Sequence, residues 1–401
     1  MKKISAFLFV GYLLSVIPCT PAYTFWFFGE DRQSKPNSGK SLAAIDTQPL
    51  TFAEAYRLSL IESEDVATKQ SELDKAQGHK YQALNEVMPA VGFKMTESIQ
   101  DTSKKGEDVG SNSGTTSSLL RRTTPQKQFT LRQPLFSGFK EIAGLQGSDA
   151  EKNQKRFEKR RIEEILLTDV ASAFYAVIQA EKDVKIVEKT YKTLAERIEE
   201  LKGRVSIGRS RENEIQTALS DQKKVESQLI IAKSNVITAR QELEYYIGRE
   251  VNGPLADPLE SAVDPKALED YMNKVDSRSD VQAANQAYIL AEKSVVVAQS
   301  GLFPNAALDG NYYTQRVGIQ SGIDWDVLLS VNVPIFNGTE TFGEIKVAVS
   351  EREMAKYNFM KTKRLARLDI RKTYEEYRSF RLEEAALGEA VKAKKKDYDL
   401  Q

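Results

Sequence analysis

Few side chains in this sequence have the chemistry for catalysis or metal binding. The 401 residues include one histidine, His79, and one cysteine, Cys19. A zinc-type site around His79 would need further histidine or cysteine ligands, and the sequence has none to offer. No serine, threonine or cysteine stands in a recognisable nucleophile–base arrangement. We therefore expect no enzyme, no cofactor and no metal, and interpret His79 as a surface side chain.

The segment 34–41, SKPNSGKS, ends like a phosphate-binding loop. That motif requires a glycine at its first position and a strand directly before it. Ser34 stands at the first position, and no strand pattern precedes it. We do not interpret this segment as a nucleotide site.

One turn concentrates charge. In residues 207–215, IGRSRENEI, Arg209 and Arg211 stand beside Glu212 and Glu214. Charged residues in an exposed turn are ordinarily just solvated, and that is one interpretation. Whether these charges have a further role depends on the secondary-structure elements on either side of the turn.

The start of the chain predicts export. Two lysines precede an apolar run from Ile4 to about Ile17, and the small and polar residues Thr20-Pro21-Ala22 follow. This order is that of a secretory signal peptide, which we assign to residues 1–22. Cys19 follows Pro18, whereas lipid attachment favours a small residue there, so we expect Cys19 to be discarded with the signal.

Overall charge and hydropathy argue against two classes of protein, nucleic-acid binders and proteins with membrane-spanning helices. Lys and Arg total 57 and Asp and Glu total 57, whereas a nucleic-acid binder needs a basic face. After the signal, no stretch of 18 uncharged apolar residues predicts a membrane-spanning helix. If the protein enters a membrane, it must do so as strands.

The sequence contains an internal repeat. The motif Pro-x-Phe-x-Gly occurs at residues 134–138 and again, 200 positions later, at residues 334–338. An offset of 215 superimposes further pairs: Asp65-Val66 on Asp280-Val281, Ala76 on Ala291, Ala83 on Ala298, Val87 on Leu302 and Pro89 on Pro304. Duplication at this period is a fold-level signal. Each unit reads as helix, strand, loop, strand and long helix.

We expect the first helix to open at the capping box Thr51-x-x-Glu54 and its counterpart to open after Asp264-Pro265.

From Val170 onward, apolar residues alternate at spacings of three and four, the pattern of a coiled-coil seam. One run is Ala173, Val177, Ala180, Val184, Val187, Tyr191, Leu194, Ile198, Leu201 and Val205; the other is Ile215, Ala218, Gln222, Val225, Leu229, Ala232, Val236, Ala239, Leu243 and Tyr246. With a turn between Gly203 and Asn213, the two runs predict an antiparallel hairpin roughly 100 Å long.

Four segments alternate with period two, near residues 91–96, 128–132, 304–315 and 324–333. The last is the clearest: its apolar face carries Trp325, Val327, Leu329, Val331 and Val333. We expect those five to face lipid, although a half-buried soluble sheet would look similar.

Prolines are expected where strands meet helices, namely Pro89, Pro134, Pro304 and Pro334. Four strands cannot close a barrel alone, so copies must pool theirs, and residues 101–124 form an exposed loop.

These stretches resemble the outer-membrane efflux proteins typified by TolC. The matching segments are LTFAEAYRLSLIESEDV (50–66), QPLFSG (133–138), VPIFNG (333–338) and the hairpin around RVSIGRSRENEIQTA (204–218). The resemblance runs from about Leu50 to the end. It implies a mainly α fold with a β part: long antiparallel coiled-coil helices, plus four strands per subunit in one twelve-stranded barrel shared by a homotrimer.

The resemblance also implies a location and partners. The protein would lie in the outer membrane with a periplasmic helical tunnel, whose tip meets a periplasmic adaptor (membrane fusion) protein and an inner-membrane transporter. Its function would be that of a channel subunit in a tripartite efflux or type I secretion system. The alternative is a periplasmic coiled-coil adaptor or structural protein. The cargo, whether drug, metal or polypeptide, stays open.

The resembled family places an acidic residue near the closed entrance, at the position of Glu214. Three copies of Glu214 would ring the constriction and favour cations. Arg209 and Arg211, from the same or a neighbouring subunit, would pair with Glu212 or Glu214 and hold neighbouring hairpins together. Counting from Gly208, a second tip would fall near position 408, beyond Gln401. The expected organisation is 1–22 signal peptide, 23–49 linker, 50–250 first repeat, 251–277 linker and 278–401 second repeat, incomplete at its C-terminus.

Overall fold

The computed structural model describes residues 49–99, 123–256, 264–317 and 320–400. The proposed signal peptide, Cys19, the segment 34–41 and most of the loop 101–124 lie outside these ranges. Helices dominate: α1 (Phe52–Glu62), α2 (Glu64–Asn85), α3 (Lys140–Ser206), α4 (Glu212–Ile247), α5 (Leu268–Met272), α6 (Ser279–Gln299) and α7 (Glu340–Leu400). The strands are β1 (Leu50–Thr51), β2 (Ala90–Ile99), β3 (Thr123–Ser137), β4 (Leu255–Ala256), β5 (Asn305–Gln315) and β6 (Trp325–Asn332). The expected mainly α fold with a smaller β part is confirmed.

The first repeat opens with two helices where one was expected. Thr51 caps α1 by accepting a hydrogen bond from the Glu54 backbone N–H at 3.4 Å, but the Glu54 carboxylate contacts Arg57 instead of closing the capping box. Ser63 then ends α1 and caps α2, its hydroxyl accepting from the Val66 N–H at 3.3 Å. The helix breaks here because a serine hydroxyl offers the backbone an alternative partner.

The long hairpin of α3 and α4 is present as the heptad spacing predicts. α3 has 67 residues, which at 1.5 Å per residue is roughly 100 Å. All of the predicted seam residues are buried or half-buried. The turn is tighter than expected, since it occupies residues 207–211 and Gly203 still belongs to α3. Within the described residues, no helix is both long enough and apolar enough to cross a membrane.

The main apolar core lies where α1 crosses the α3–α4 hairpin. Phe174 and Leu243 are fully buried there, together with Ala55 of α1. Arg240 fastens the following segment, donating to the Val251 carbonyl at 2.6 Å and to the Glu181 carboxylate at 2.5 Å. The strands β1 and β4 pair in parallel beside this core. The stretch 251–277 is therefore partly structured, and ties the end of the first hairpin back to the start of the repeat.

The second repeat begins differently from the prediction. After Asp264-Pro265 comes only the short α5 and one 3-10 turn, and the long helix α6 begins at Ser279. The helical backbone is interrupted at Arg278, which is extended. The Arg278 guanidinium binds the Asp280 carboxylate at 2.7 Å. Val275, Val281 and Ala366 bury a small second core between this region and α7. The break at Arg278 matches the break at Ser63, so both repeats have a short helical segment before a long helix.

Four strands form one antiparallel sheet in the order β2-β3-β5-β6. The pairing β3–β5 joins the two repeats, and β2 and β6 are the sheet edges. Of the four prolines, Pro89 and Pro304 directly precede strands and Pro334 follows β6, as expected. Pro134 instead lies inside β3, beside a shift in pairing register. A proline is tolerated there because an irregular position does not need its missing N–H.

Helices α2 and α3 meet through charged side chains. α2 fully buries only Val66 and Ala76. The Lys155 ammonium binds Glu72 at 3.1 Å and Glu158 at 2.9 Å, and Lys69 binds Glu72 at 2.9 Å. Farther along the same interface, His79 contacts Glu151 and Lys80 contacts Asp149. This polar interface contrasts with the apolar seam between α3 and α4.

The polar interface makes a pH-dependent prediction. Hydrogen bonds from Lys69 and then Lys155 hold the pKa of the Glu72 carboxyl below its ordinary value. Since the folded-state pKa is depressed, the contribution of Glu72 to stability is present above about pH 4.3 and is lost as the pH falls through the folded-state pKa. We expect Glu72→Gln to lower the melting temperature at pH 7, by an amount that shrinks towards pH 3.

Thermal melts followed by circular dichroism measure this difference. Glu196→Gln, which removes an exposed α3 carboxylate that has no ion pair among the described residues, is the matched control. A melting-temperature difference that stays constant from pH 7 to pH 3 would contradict the assignment.

Candidate functional site

The sheet has one apolar and one polar face, set by its pairing register. Residues opposite each other in an antiparallel pair share a face. Phe93, Phe129, Tyr312 and Trp325 form one such row across all four strands. The rings of Phe93 and Phe129 lie 5.1 Å apart, centroid to centroid. All four of these aromatic side chains are exposed in the protomer.

The five residues predicted to face lipid follow this pattern. Trp325, Val327, Leu329 and Val331 lie on the apolar face of β6, and Val333 directly follows the strand. Their exposed fractions fall between 56 and 60 %. Leu328, on the opposite face of β6, is also 59 % exposed, so a lipid-facing role for these five residues stays a prediction.

The opposite face carries a hydrogen-bonded network. Gln128 donates to the Asn311 side-chain oxygen at 3.4 Å, and Asn311 donates to the Asp326 carboxylate at 2.8 Å. The Tyr313 hydroxyl donates to the other Asp326 oxygen, also at 2.8 Å. Arg316 completes the group, 3.8 Å from Asp326 and with its guanidinium 4.1 Å from the Tyr313 ring centroid. The network spans three strands and two repeats.

Sequence reasoning did not identify this network. Its members alternate with apolar residues along the strands, which places them on the face opposite the apolar one. Their mutual contacts depend on the β3–β5 register, which joins residues 183 positions apart. The sequence indicated this network only through the polar residues at every second position of the strands.

A cavity of about 560 Å³ lies where the polar face meets the helices. Its charged lining residues are Glu86, Arg132 and Lys140, with Phe136 and Phe303 as the aromatic ones. Lys140 lies 3.6 Å from Glu86, and Arg132 lies 3.8 Å from Asp309. The charged lining residues are therefore all paired.

The repeated Pro-x-Phe-x-Gly motif marks the two strand-to-helix junctions. Gly138 and Gly338 both have left-handed backbones, with φ of 66° and 73°. A residue with a Cβ is strained there, so glycine lets each strand turn directly into its long helix. Phe139 is left-handed as well, at φ 68°, and its ring meets those of Phe136 and Phe303 edge-on at 5.2 and 6.1 Å.

The charged turn lies at the far end of the hairpin. Gly208 is left-handed, at φ 73°, and the Arg209 N–H donates to the Arg204 carbonyl at 2.8 Å. The Ser210 hydroxyl donates to the Glu214 carboxylate at 2.7 Å. Sequence reasoning missed this bond, which restrains Glu214 over the first turn of α4.

Within the protomer the turn arginines do not pair with Glu212 or Glu214, and pairing with a neighbouring subunit stays a prediction. Arg209, Arg211 and Glu212 form no ion pair among the described residues. Glu214 forms no ion pair among the described residues either. The structure brings the four charged residues into one turn, and leaves both arginines open to a contact outside the protomer.

The described residues contain no cluster of histidine, cysteine, aspartate and glutamate that could hold a metal ion. The His79 Nδ1 lies 2.9 Å from the Glu151 carboxylate, which makes it part of the α2–α3 interface.

Comparison with known proteins gives concordant results. The sequence profile of the outer membrane efflux protein family matches residues 55–249 and 274–401. No curated protein sequence matches the chain closely enough to count as a relative.

Several solved structures share the fold. The outer membrane protein VceC from Vibrio cholerae superimposes with a TM-score of 0.68 at 16% identity, covering 82% of this chain and 79% of that one. A membrane protein from Pseudomonas aeruginosa gives 0.68 at 15% identity, with 84% and 79% covered. CusC, described for the conformational changes that accompany its folding and transmembrane channel formation, gives 0.66 at 16% identity, with 85% and 81% covered.

Proposed function

The chain belongs to the outer membrane efflux protein family, and we propose that it is one subunit of a homotrimeric channel that carries cargo across the periplasm and outer membrane. Its partners would be a periplasmic adaptor protein and an inner-membrane transporter, in an efflux or type I secretion system. The adaptor alternative is less well supported, because the family match covers both repeats and both strand pairs.

One observation carries the proposal: a small sheet with an apolar face stands at the end of a hairpin roughly 100 Å long. A sheet of four strands has two open edges, and unpaired backbone groups cost several kcal/mol each in lipid. Closure therefore needs strands from other copies. The polar face would then line the pore, and the hairpins would continue it through the periplasm.

The direct test is to express the chain, isolate membrane fractions and reconstitute the extracted protein in planar bilayers. We expect trimers in detergent, a mixed helix and strand circular dichroism spectrum, and stepwise ion conductance. A soluble, entirely helical protein without conductance would overturn the proposal in favour of the adaptor or structural alternative.

The lipid-facing assignment predicts a one-sided effect on β6. Val331→Arg places a charge near mid-strand on the apolar face, and we expect it to destabilise the assembled channel by about 2–4 kcal/mol. Ser330→Arg, one residue away on the polar face, is the control and should cost less than about 1 kcal/mol. Urea unfolding of reconstituted protein measures both. Equal effects of the two variants would show that the sheet faces are assigned wrongly.

The turn predicts ion selectivity. Three Glu214 carboxylates around a narrow entrance would attract cations, so Glu214→Gln should lower the cation-to-anion permeability ratio measured from reversal potentials. Arg211→Ala should raise conductance by loosening contacts between neighbouring hairpins, each worth about 0–1 kcal/mol. Glu199→Gln, which removes an α3 carboxylate paired with Lys202, is the control. Unchanged selectivity in Glu214→Gln would leave Glu214 as a solvated turn residue.

A further inference from the structure

The sequence contains two asparagines that are directly followed by glycine. They are Asn252-Gly253, in the segment after the long hairpin, and Asn337-Gly338, at the second strand-to-helix junction. An asparagine side chain reacts most readily with its own backbone when glycine follows, because glycine has no Cβ to hinder the approach. Asparagine is for this reason among the thermolabile residues of proteins. The two sites have the same dipeptide but different surroundings.

The loop that contains Asn252 is fastened on both sides of the dipeptide. Arg240 donates to the Val251 carbonyl at 2.6 Å and to the Gly253 carbonyl at 3.2 Å. The Val251 N–H donates to the Glu244 carboxylate at 2.9 Å, and the Val251 side chain is buried. These bonds fix the peptide groups before and after Asn252. The Asn252 side chain therefore reaches the Gly253 nitrogen only after some of them break.

The junction that contains Asn337 has no such restraint. It lies between β6 and α7 and belongs to neither element. Among the described residues, no backbone N–H from 333 to 338 donates to another backbone group. Ile335 and Phe336 are 95 and 84 % exposed, so side-chain packing does not hold this segment either. The backbone around Asn337 is thus free to rotate.

The two asparagine side chains themselves are similar. Both are exposed, and each amide donates to a nearby side chain. The Asn252 amide donates to the Glu250 carboxylate at 3.3 Å, and the Asn337 amide donates to the Thr341 hydroxyl at 2.5 Å. Gly338 also has open space around it, since its backbone is left-handed at φ 73° and an added Cβ would meet nothing within 4 Å. The contrast between the sites therefore lies in the backbone.

We infer that Asn337 is a site of spontaneous deamidation, which gives the second junction a negative charge. The Gly338 backbone nitrogen attacks the Asn337 Cγ and closes a succinimide ring. The bond from Cγ to Nδ2 breaks, and ammonia leaves with the proton of the Gly338 N–H. Water then opens the ring at either carbonyl and leaves an aspartyl or an isoaspartyl residue at position 337. Water is the sole co-reactant, and nothing is oxidised or reduced.

The first junction has no group that reacts in this way. Ser137 stands 200 positions before Asn337, at the corresponding place. The Ser137 backbone N–H donates to the Glu141 carboxylate at 3.1 Å, and a Cβ on Gly138 would lie 2.7 Å from the Ser300 carbonyl. The first junction is thus closely packed and already holds a carboxylate.

The second junction has Thr341 at the position that corresponds to Glu141. Deamidation of Asn337 therefore supplies a carboxylate where the second junction lacks one. A carboxylate near the start of α7 interacts favourably with the N-terminal end of the helix dipole. The Thr341 hydroxyl donates to such a carboxylate as readily as it accepts from the amide, so the contact keeps both partners.

The isoaspartyl product does not fit in the same way. It adds one carbon atom to the main chain between β6 and α7, where Gly338 makes a tight left-handed turn. We expect the aspartyl product to preserve the junction and the isoaspartyl product to displace it. The reaction requires only the protomer and does not depend on the proposed trimer.

Peptide mapping by mass spectrometry tests the reaction. The full chain, extracted in detergent, is incubated at mildly alkaline pH and sampled over time. We expect Asn337 to deamidate at least about fivefold faster than Asn252, because hydrogen bonds on both sides of Asn252 must break before its ring can close. Both rates should rise with pH, since the attacking backbone nitrogen must lose its proton. Fragmentation by electron transfer distinguishes the aspartyl from the isoaspartyl product.

Incubation in concentrated urea is the control for local sequence. Unfolding removes the restraint on Asn252, so the two rates should then agree within about twofold. Asn337→Ser, which copies the residue of the first junction, should abolish the mass change in the junction peptide and leave the Asn252 peptide as in the parent. Folded protein in which Asn252 reacts as fast as Asn337 or faster overturns the inference. A junction peptide that changes mass only in urea does so too.

Asn337→Asp tests the fit of the aspartyl product. We expect its melting temperature to lie within about 3 °C of the parent value, as for a tolerated surface substitution. Asn337→Lys, with the opposite charge at the same place, is the matched control and should melt lower, because a cation is unfavourable at a helix N-terminus. If Asn337→Asp melts as low as Asn337→Lys or lower, the aspartyl product does not fit. None of these measurements needs a trimer or conductance, so their failure would leave the proposed function standing.

Discussion

The structure depends on the hydrogen-bonding demand of the backbone at the edges of its small sheet. Within the sheet, β3 and β5 have partners on both sides, while β2 and β6 each have one. In water those edges would be solvated, but in an apolar phase they need other strands. The apolar face, the open edges and the exposed second junction all concern the same end of the molecule. In the proposed assembly, strands of further copies would complete this sheet.

The α3–α4 contact and the α2–α3 contact are made by different kinds of side chain. Along α3 and α4, a seam of apolar residues at heptad spacing keeps two helices in register over most of their length. Nearer the sheet, α2 meets α3 through Lys69, Glu72, Lys155 and Glu158, with little apolar burial. Apolar interdigitation allows one arrangement, whereas the half-buried ion pairs between α2 and α3 fix only the few charged groups that take part.

Much of this architecture was predictable because it follows from periodicity. Heptad spacing predicted the hairpin, and period two predicted the faces of β6. Local breaks were not predictable in the same way. Ser63 and Arg278 interrupt helices through side-chain hydrogen bonds whose strength, relative to continued helix, the pattern of apolar residues does not reveal. The polar network around Asp326 depends on pairing between repeats, and the Ser210–Glu214 bond on the exact shape of one turn. Contacts between residues distant in sequence need the register, and the register needs the fold.

The covalent link between the two repeats has a consequence for assembly. A ring of separate single repeats would have to form every contact by collision, and each association costs an estimated 4–15 kcal/mol of translational and rotational freedom. Joining the repeats makes every second contact intramolecular, so its partner is present at a high effective concentration from the moment of synthesis. In the proposed trimer only two such associations precede closure. The same link leaves the two repeats free to differ in sequence: position 147 is glycine in the first repeat, and the corresponding position 347 is valine in the second. A ring of identical single repeats would carry the same residue at both positions.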